Sequence, residues 1–457
     1  MSFLVSLVSF IVALGILVVV HEFGHFWVAR KLGVKVLRFS VGFGKPLWTR
    51  RSGPDDTEYV VAAVPLGGYV KMLDEREGSV AEKDLPRAFN RKPVLSRIAI
   101  VAAGPFFNFL FAIFAYYLMF LVGVEGLVPE VGKVIPDTPA YRAGFEQGDR
   151  LVSANGIAIP SWESASITLL DQALETGVID VEVQTERGYP MHRSLDLGDT
   201  RELLDEGDLY QKIGLEPWRP QIAPIIGQLE SGLPAARDGL QTGDKILAAN
   251  GTRIHDWRDW VNVIQSHPGK AVSIEVLRAG DVLNMEITPM PKEVGGREIG
   301  YIGAGPQVDR ERYTEQLQSH RVLVQYGPFE AVAKAGEKTW QAVILTFRLM
   351  GKLVVGDASL KTISGPLSIA EYAGVSATIG LAAFLSFMAI VSVSLGVINL
   401  LPVPVLDGGH LLFYAIEMVK GSPVSERWEA IGQQVGLVLL AALMMLAFYN
   451  DLSRLLG

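Results

Sequence analysis

Residues Phe3–His25 read FLVSLVSFIVALGILVVVHEFGH, an apolar run that ends in two histidines and a glutamate. No charged residue interrupts it before His21, so as a helix it spans roughly 27 Å, close to the thickness of a hydrocarbon core. If the helix continues through the motif, His21 and His25 stand at i and i+4 on one face. There they can ligate one metal, with Glu22 beside them to take a proton from water. A packed-core or helix-cap role for the pair is the plainer alternative. Ionisable groups at the end of a membrane helix are costly unless paired or functional, which favours the metal reading.

Three further apolar segments, at roughly 98–124, 373–403 and 433–448, repeat the pattern. The chain has 457 residues, 49% of them hydrophobic, and a mean hydropathy of +0.29. These values argue against a purely soluble globule and predict a polytopic α-helical membrane protein with four transmembrane helices. The first segment lacks a basic region after Met1, exceeds the usual apolar length of a signal peptide and ends in no small-residue cleavage site, so it is expected to remain as a span. There is no cysteine, which excludes disulfides and thiolate metal ligands.

Between residues 30 and 97 stand 14 Lys/Arg against 8 Asp/Glu, whereas residues 125–338 hold 21 against 33. By the positive-inside rule the first loop is expected in the cytoplasm and the long middle region on the opposite face. That middle contains a duplication: residues 139–156 read PAYRAGFEQGDRLVSANG and residues 234–251 read PAARDGLQTGDKILAANG. In each, a Gly-Asp turn precedes a short apolar strand and an Asn-Gly turn, predicting two small β-rich domains of one design. They resemble PDZ domains of the circularly permuted type found in bacterial proteases. That resemblance implies either capture of extended peptides at a sheet edge or steric exclusion of folded substrates.

Two imidazoles leave a catalytic zinc short of a third protein ligand. His192, His255, His267 and His320 belong to the middle region, which leaves Asp407 and His410 in the stretch NLLPVPVLDGGH, 399–410. Asp407 is the first charged residue after Glu371, an isolated carboxylate beside hydrocarbon that a metal ion would compensate. His410, three residues on, is the rival ligand.

HEFGH and the Asn-x-x-Pro-x-Pro-x-Leu-Asp-Gly motif, in this order, in separate apolar segments and flanking a duplicated middle, are similar to the site-2 protease family of intramembrane zinc metalloproteases. The likeness is to its bacterial regulator-of-sigma-E type with two tandem PDZ domains, and it covers essentially the whole chain. It implies one zinc per chain held by His21, His25 and Asp407, with Glu22 as general base and His410 a neighbour. Asn399, Pro402 and Pro404 would help position substrate. It further implies a multi-pass protein of the bacterial inner membrane, with the PDZ-like domains periplasmic and the active site toward the cytoplasm. The implied substrate is a transmembrane protein resembling an anti-sigma factor, already cut by a periplasmic protease in envelope-stress signalling. Remnant signal peptides are a second class; membrane lipid is an expected partner and nucleic acid is not.

Residues 58–72, EYVVAAVPLGGYVKM, read as a hairpin with β-prone arms that could offer an edge to an unwound substrate. Residues 324–345 suit an interfacial helix. The expected organisation is a first half of the membrane core at 1–124, PDZ-like domains at 125–219 and 220–308, a linker with the interfacial helix at 309–372, and the second half of the core at 373–457. Two other classes compete. A metal or ion transporter would also place His and Asp in a membrane, and a non-enzymatic scaffold would use the duplicated domains alone but leaves the H-E-x-x-H motif unexplained.

Overall fold

The computed structural model describes residues 3–198, 209–294, 297–356 and 363–456. Helix α1 (Phe3–Lys31) carries the apolar run and the whole HEFGH motif without a break. It stops where Gly33 adopts φ +72, a left-handed conformation glycine enters without strain, and its last turn carries Arg30 and Lys31. Two long strands follow, β1 (Val36–Ser52) and β2 (Thr57–Met72). Their register doubles back, so that segment 38–41 of β1 pairs with residues 58–61 on one side and with 68–71 on the other. Segment 68–72 is thereby an edge. Helix α2 (Val94–Val122) then returns through the core.

The first β-rich domain comprises β3 (Val124–Leu127), β4 (Val131–Val134), β5 (Arg150–Ala154), β6 (Ile157–Ala158), α3 (Trp162–Thr176), β7 (Val178–Gln184), β8 (Pro190–Asp196) and β9 (Leu215–Pro217). The second comprises β10 (Ile226–Leu229), β11 (Lys245–Ala249), β12 (Thr252–Arg253), α4 (Trp257–Gln265), β13 (Val272–Arg278), β14 (Asp281–Ile287), β15 (Met290–Val294), β16 (Arg297–Tyr301) and β17 (Ala304–Pro306). Four-stranded sheets of order β6-β5-β7-β8 and β12-β11-β13-β14, with pairs β4-β9 and β10-β17, show the duplication as one topology used twice.

The repeated Gly-Asp turn has the same duty in both copies. Asp149 accepts from the backbone of Glu146 at 3.0 Å and from Arg193 at 3.2 Å; Asp244 accepts from Gln241 at 2.8 Å and from Arg278 at 2.7 Å. Each carboxylate is 1% exposed and locks turn to sheet. Burial alone would push the Asp244 carboxyl up, but the Arg278 guanidinium and the Gln241 N–H outweigh it and hold it below its ordinary value. Each domain has its own core, one around Trp162 and Leu169, the other around Trp260 and Ile264.

Helix α5 (Arg310–Ser319) leads to β18 (Arg321–Val324), which pairs with β3 and so joins the chain entering the domains to the chain leaving them. Arg321 bridges Glu125 across this neck at 2.7 Å. Helix α6 (Pro328–Val355) packs Ala331 and Ala335 against Tyr116 and Met119 of α2, and its Arg348 meets Glu175 of α3 at 2.8 Å. It starts later than the 324–345 read from sequence because Arg321–Val324 is claimed by the neck, and it runs on to Val355, where Gly356 in the left-handed conformation ends it.

Helices α7 (Pro366–Ile379), α8 (Leu381–Asn399), α9 (Asp407–Lys420) and α10 (Glu426–Leu456) complete the chain. The apolar segment 373–403 is therefore two helices rather than one. Gly380 divides them at φ +142, and α7 packs beside α1, where a Cβ on Gly374 would come within 2.3 Å of Ser6 Oγ. Asp451 of α10 caps α7, accepting from Gly365 N–H and Leu367 N–H at 2.9 Å each. Among the described residues four helices, at 4–31, 94–122, 381–400 and 427–454, are long and apolar enough to cross a membrane. Large apolar side chains such as Leu4, Val438 and Met445 remain 67–70% exposed on them, which suits hydrocarbon as the surrounding solvent. The chain is a polytopic membrane protein carrying two inserted β-rich domains.

Candidate active site

His21 and His25 point from α1 toward Asp407, the first residue of α9. His21 Nε2 lies 3.2 Å from Asp407 Oδ2, His25 Nε2 lies 3.4 Å from the same oxygen, and the two Nε2 atoms are 3.2 Å apart. A tetrahedral zinc with bonds of about 2.0–2.1 Å sets its ligand atoms roughly 3.3 Å apart. The triangle matches that edge on all three sides. Asp407 Oδ2 is also buried without an acceptable hydrogen bond among the described residues, although it is within ion-pair distance of both rings. A cation is the partner that would satisfy it. Among the described residues these three form the one cluster able to hold a metal, so Asp407 rather than His410 stands with the imidazoles.

Tight backbone approaches bring the helices together. A Cβ on Gly104 of α2 would come 2.3 Å from His25 Nε2 and 2.8 Å from His21 Cε1, and one on Gly24 of α1 would come 2.4 Å from the Ala103 carbonyl oxygen. Only glycine fits at either point. The loop before α9 is equally close: a Cβ on Gly408 would meet Leu401 O at 2.2 Å, and one on Gly409 would meet Pro404 Cα at 2.4 Å. The glycines of the Asp-Gly-Gly motif thus let residues 400–406 fold back on the helix start and present Asp407 inward.

Behind the rings, His25 Nδ1 lies 2.9 Å from the Ile100 carbonyl oxygen, which fixes its Nε2 toward the site. Burial would push the Asp407 carboxyl up, but His21 and His25 outweigh it and hold the group well below the carboxylate range. His410 is held below its usual value by burial.

Glu22 and His410 face the same cavity as the three clustered residues, a space of about 940 Å³. Edge segment 68–72 forms one wall, and Gly68 sits so close that a Cβ would meet Glu22 Cγ at 2.9 Å. Farther out the cavity is polar, with Arg97 bridging Glu417 at 2.6 Å and Arg76 bridging Asp74 at 2.7 Å. Asn399 ends α8, while Pro402 and Pro404 lie in the loop to α9; none of the three lines this cavity. Pro404 instead packs on Gly432 of α10 at 3.3 Å from its virtual Cβ.

Ile100, Gly104 and Asn108 were not legible as site residues. Their one signal is that Gly104-Pro105 and a single amide, Asn108, interrupt the otherwise apolar run from 98 to 124.

Two imidazoles and a carboxylate converging among membrane-crossing helices, with a second carboxylate, Glu22, facing the same cavity, define a metal-dependent hydrolase centre of the intramembrane kind. The sequence model described as Peptidase family M50 matches residues 9–443. The "Regulator of sigma-E protease RseP" of Escherichia coli is 44% identical over 455 residues, covering 100% of both chains. The "Protease RseP" of Yersinia pestis is 45% identical over 460 residues, and the "Regulator of sigma E protease" of Haemophilus influenzae 41% over 458, each covering 100% of both chains. A solved PDZ domain of an SdrC-like protein from Listeria monocytogenes matches 21% of this chain and 97% of its own at 20% identity, but its TM-score of 0.16 carries no argument. The chain belongs to peptidase family M50, among its regulator-of-sigma-E proteases. It is an intramembrane zinc metalloendopeptidase acting in regulated proteolysis.

Proposed function

We propose that His21 Nε2, His25 Nε2 and Asp407 Oδ2 hold one zinc ion per chain, and that Glu22 is the group that moves the proton during peptide-bond cleavage. The donor triangle, with sides of 3.2–3.4 Å, is the observation that carries this reading. Zinc, when bound, supplies Lewis-acid activation of water and of the scissile carbonyl. Glu22 takes the attacking water's proton on a carboxylate oxygen and passes it to the departing amide nitrogen.

A transmembrane helix hides its carbonyls in its own hydrogen bonds, so it must unwind before cleavage. Edge segment 68–72, beside Glu22, presents a strand edge along which an extended substrate can lie where the membrane offers no backbone partner. Asn399, Pro402 and Pro404 shape the backbone path into Asp407 and assist that positioning. The β1–β2 hairpin is membrane-associated, the first loop and the polar mouth of the cavity face the cytoplasm, and the two β-rich domains are circularly permuted PDZ-like modules in the periplasm of a bacterial inner-membrane protein. The substrate is a single-span protein of the anti-sigma-factor kind already trimmed by a periplasmic protease, with remnant signal peptides as a second class.

Elemental analysis of purified, active protein tests the site: about one zinc per chain is expected, falling on His21→Ala, His25→Ala or Asp407→Ala. Active protein without a stoichiometric transition metal would reject it. Comparison of membrane peptides from cells with and without the active chain tests the substrate class.

A further inference from the structure

Helix α2 braces the two histidines from behind, and it braces them differently. The Ile100 carbonyl oxygen can only accept, so His25 must carry its proton on Nδ1 and leave Nε2 open to the site. His21 Nδ1 instead faces the carboxamide of Asn108, whose nitrogen stands 3.1 Å away. Asn108 is 0% exposed, and its side-chain oxygen has no hydrogen-bond partner among the described residues. Its backbone carbonyl accepts from Ser392 Oγ of α8 at 2.8 Å, which anchors the position from the other side.

With the NH₂ group as the neighbour, Nδ1 of a neutral His21 accepts, and that arrangement belongs to the tautomer whose proton is on Nε2, 3.2 Å from Asp407 Oδ2. In that tautomer Nε2 has no lone pair for a metal. A neutral histidine that ligates through Nε2 carries its proton on Nδ1, and two donors would then confront each other across 3.1 Å. A half-turn of the carboxamide about its last torsion removes the conflict, because oxygen and NH₂ are nearly equal in size. The oxygen comes to face Nδ1–H, and a buried acceptor without a partner acquires one.

We propose that Asn108 is a positioning residue that supports the metal-binding tautomer of His21 and follows the ring proton when it moves. Its side-chain oxygen accepts the Nδ1 proton when Nε2 holds zinc, and its NH₂ donates to Nδ1 when the ring proton moves to Nε2. The proposal rests on the zinc reading above. It assigns to the single amide of α2 the role that the Ile100 carbonyl fills for His25, with the difference that an amide can serve both tautomers and a carbonyl only one.

The test is zinc affinity, measured by competition with a chelator on the purified full-length chain, for the wild type, Asn108→Leu and Asn108→Asp. Leucine is close in size and offers no acceptor; aspartate offers acceptors alone. Loss of such an outer partner costs about 10–100-fold in metal affinity, so Asn108→Leu should weaken zinc binding by that factor while Asn108→Asp binds at least as tightly as the wild type. Equal affinity in all three chains, or equal weakening in both variants, would overturn the acceptor role. Should the leucine variant not fold, the aspartate variant decides alone, since weaker binding than wild type contradicts the proposal. A wild-type chain that holds no stoichiometric zinc would instead remove the zinc reading itself.

Discussion

In the helical core the residues that decide geometry have the least side chain, whereas in the two β-rich domains they are carboxyl groups paired with arginine. Gly24 and Gly104 set how near α1 and α2 come to one another, Gly408 and Gly409 how near residues 400–404 come to the start of α9, and each occupies space where a single methyl group would collide with backbone or a ligand ring. Asp149 and Asp244, by contrast, fasten their domains through buried bonds to arginine and backbone. The difference follows from the solvent. Among apolar helices there is little hydrophobic gain in closing a gap, so precision comes from close packing of small residues. In a domain surrounded by water, a buried ion pair can specify how turn and sheet meet.

The largest effect that would sharpen this contrast is expected from Gly104→Ala. The added methyl must displace His25 Nε2 and His21 Cε1, so zinc content and proteolysis should both collapse, with activity down by at least about 10²-fold, the scale of a misplacement near 1 Å. Retained zinc and normal cleavage would show that the close approach is unnecessary. Next comes Asp244→Ala, which removes the bonds from Arg278 and the Gln241 N–H and leaves the guanidinium the Gly239 carbonyl oxygen. Losing hydrogen bonds to a buried charged group costs about 1.5–3 kcal/mol, which should unfold the second domain at lower temperature. The zinc content of the core should not change, and a parallel loss of zinc would break the separation between the two regions. The smallest effect is expected for Arg321→Ala at the neck. Its pair with Glu125 is more than half exposed on both sides, so thermal unfolding should shift by less than about 1 kcal/mol.

What sequence made legible divides along the same line. HEFGH on a continuous apolar run, the isolated Asp407 and the repeated Gly-Asp and Asn-Gly turns are local signals, and each marks a feature found in the structure. The division of 373–403 at Gly380 was hidden because an apolar run has the same composition whether or not its helix is broken. The contribution of α2 was hidden for a different reason: Gly104, Asn108 and the Ile100 carbonyl act only through α1, more than 70 residues earlier, and no period within their own helix announces it. Likewise the register that makes 68–72 an edge depends on β1 pairing on both sides, which alternation within β2 cannot reveal. The transporter and scaffold alternatives, open from composition, are answered by membership in a peptidase family.

The division of labour at the centre, in which three residues hold the metal and a fourth moves the proton, is tested most directly by measuring zinc content and cleavage rate together in Glu22→Gln. Glutamine has nearly the same size but cannot accept the water's proton. Zinc should remain at about one per chain while turnover on a transmembrane substrate falls by about 10²–10⁴-fold. A zinc-loaded Glu22→Gln chain that cleaves at close to the wild-type rate would contradict the assignment of Glu22 as the proton carrier.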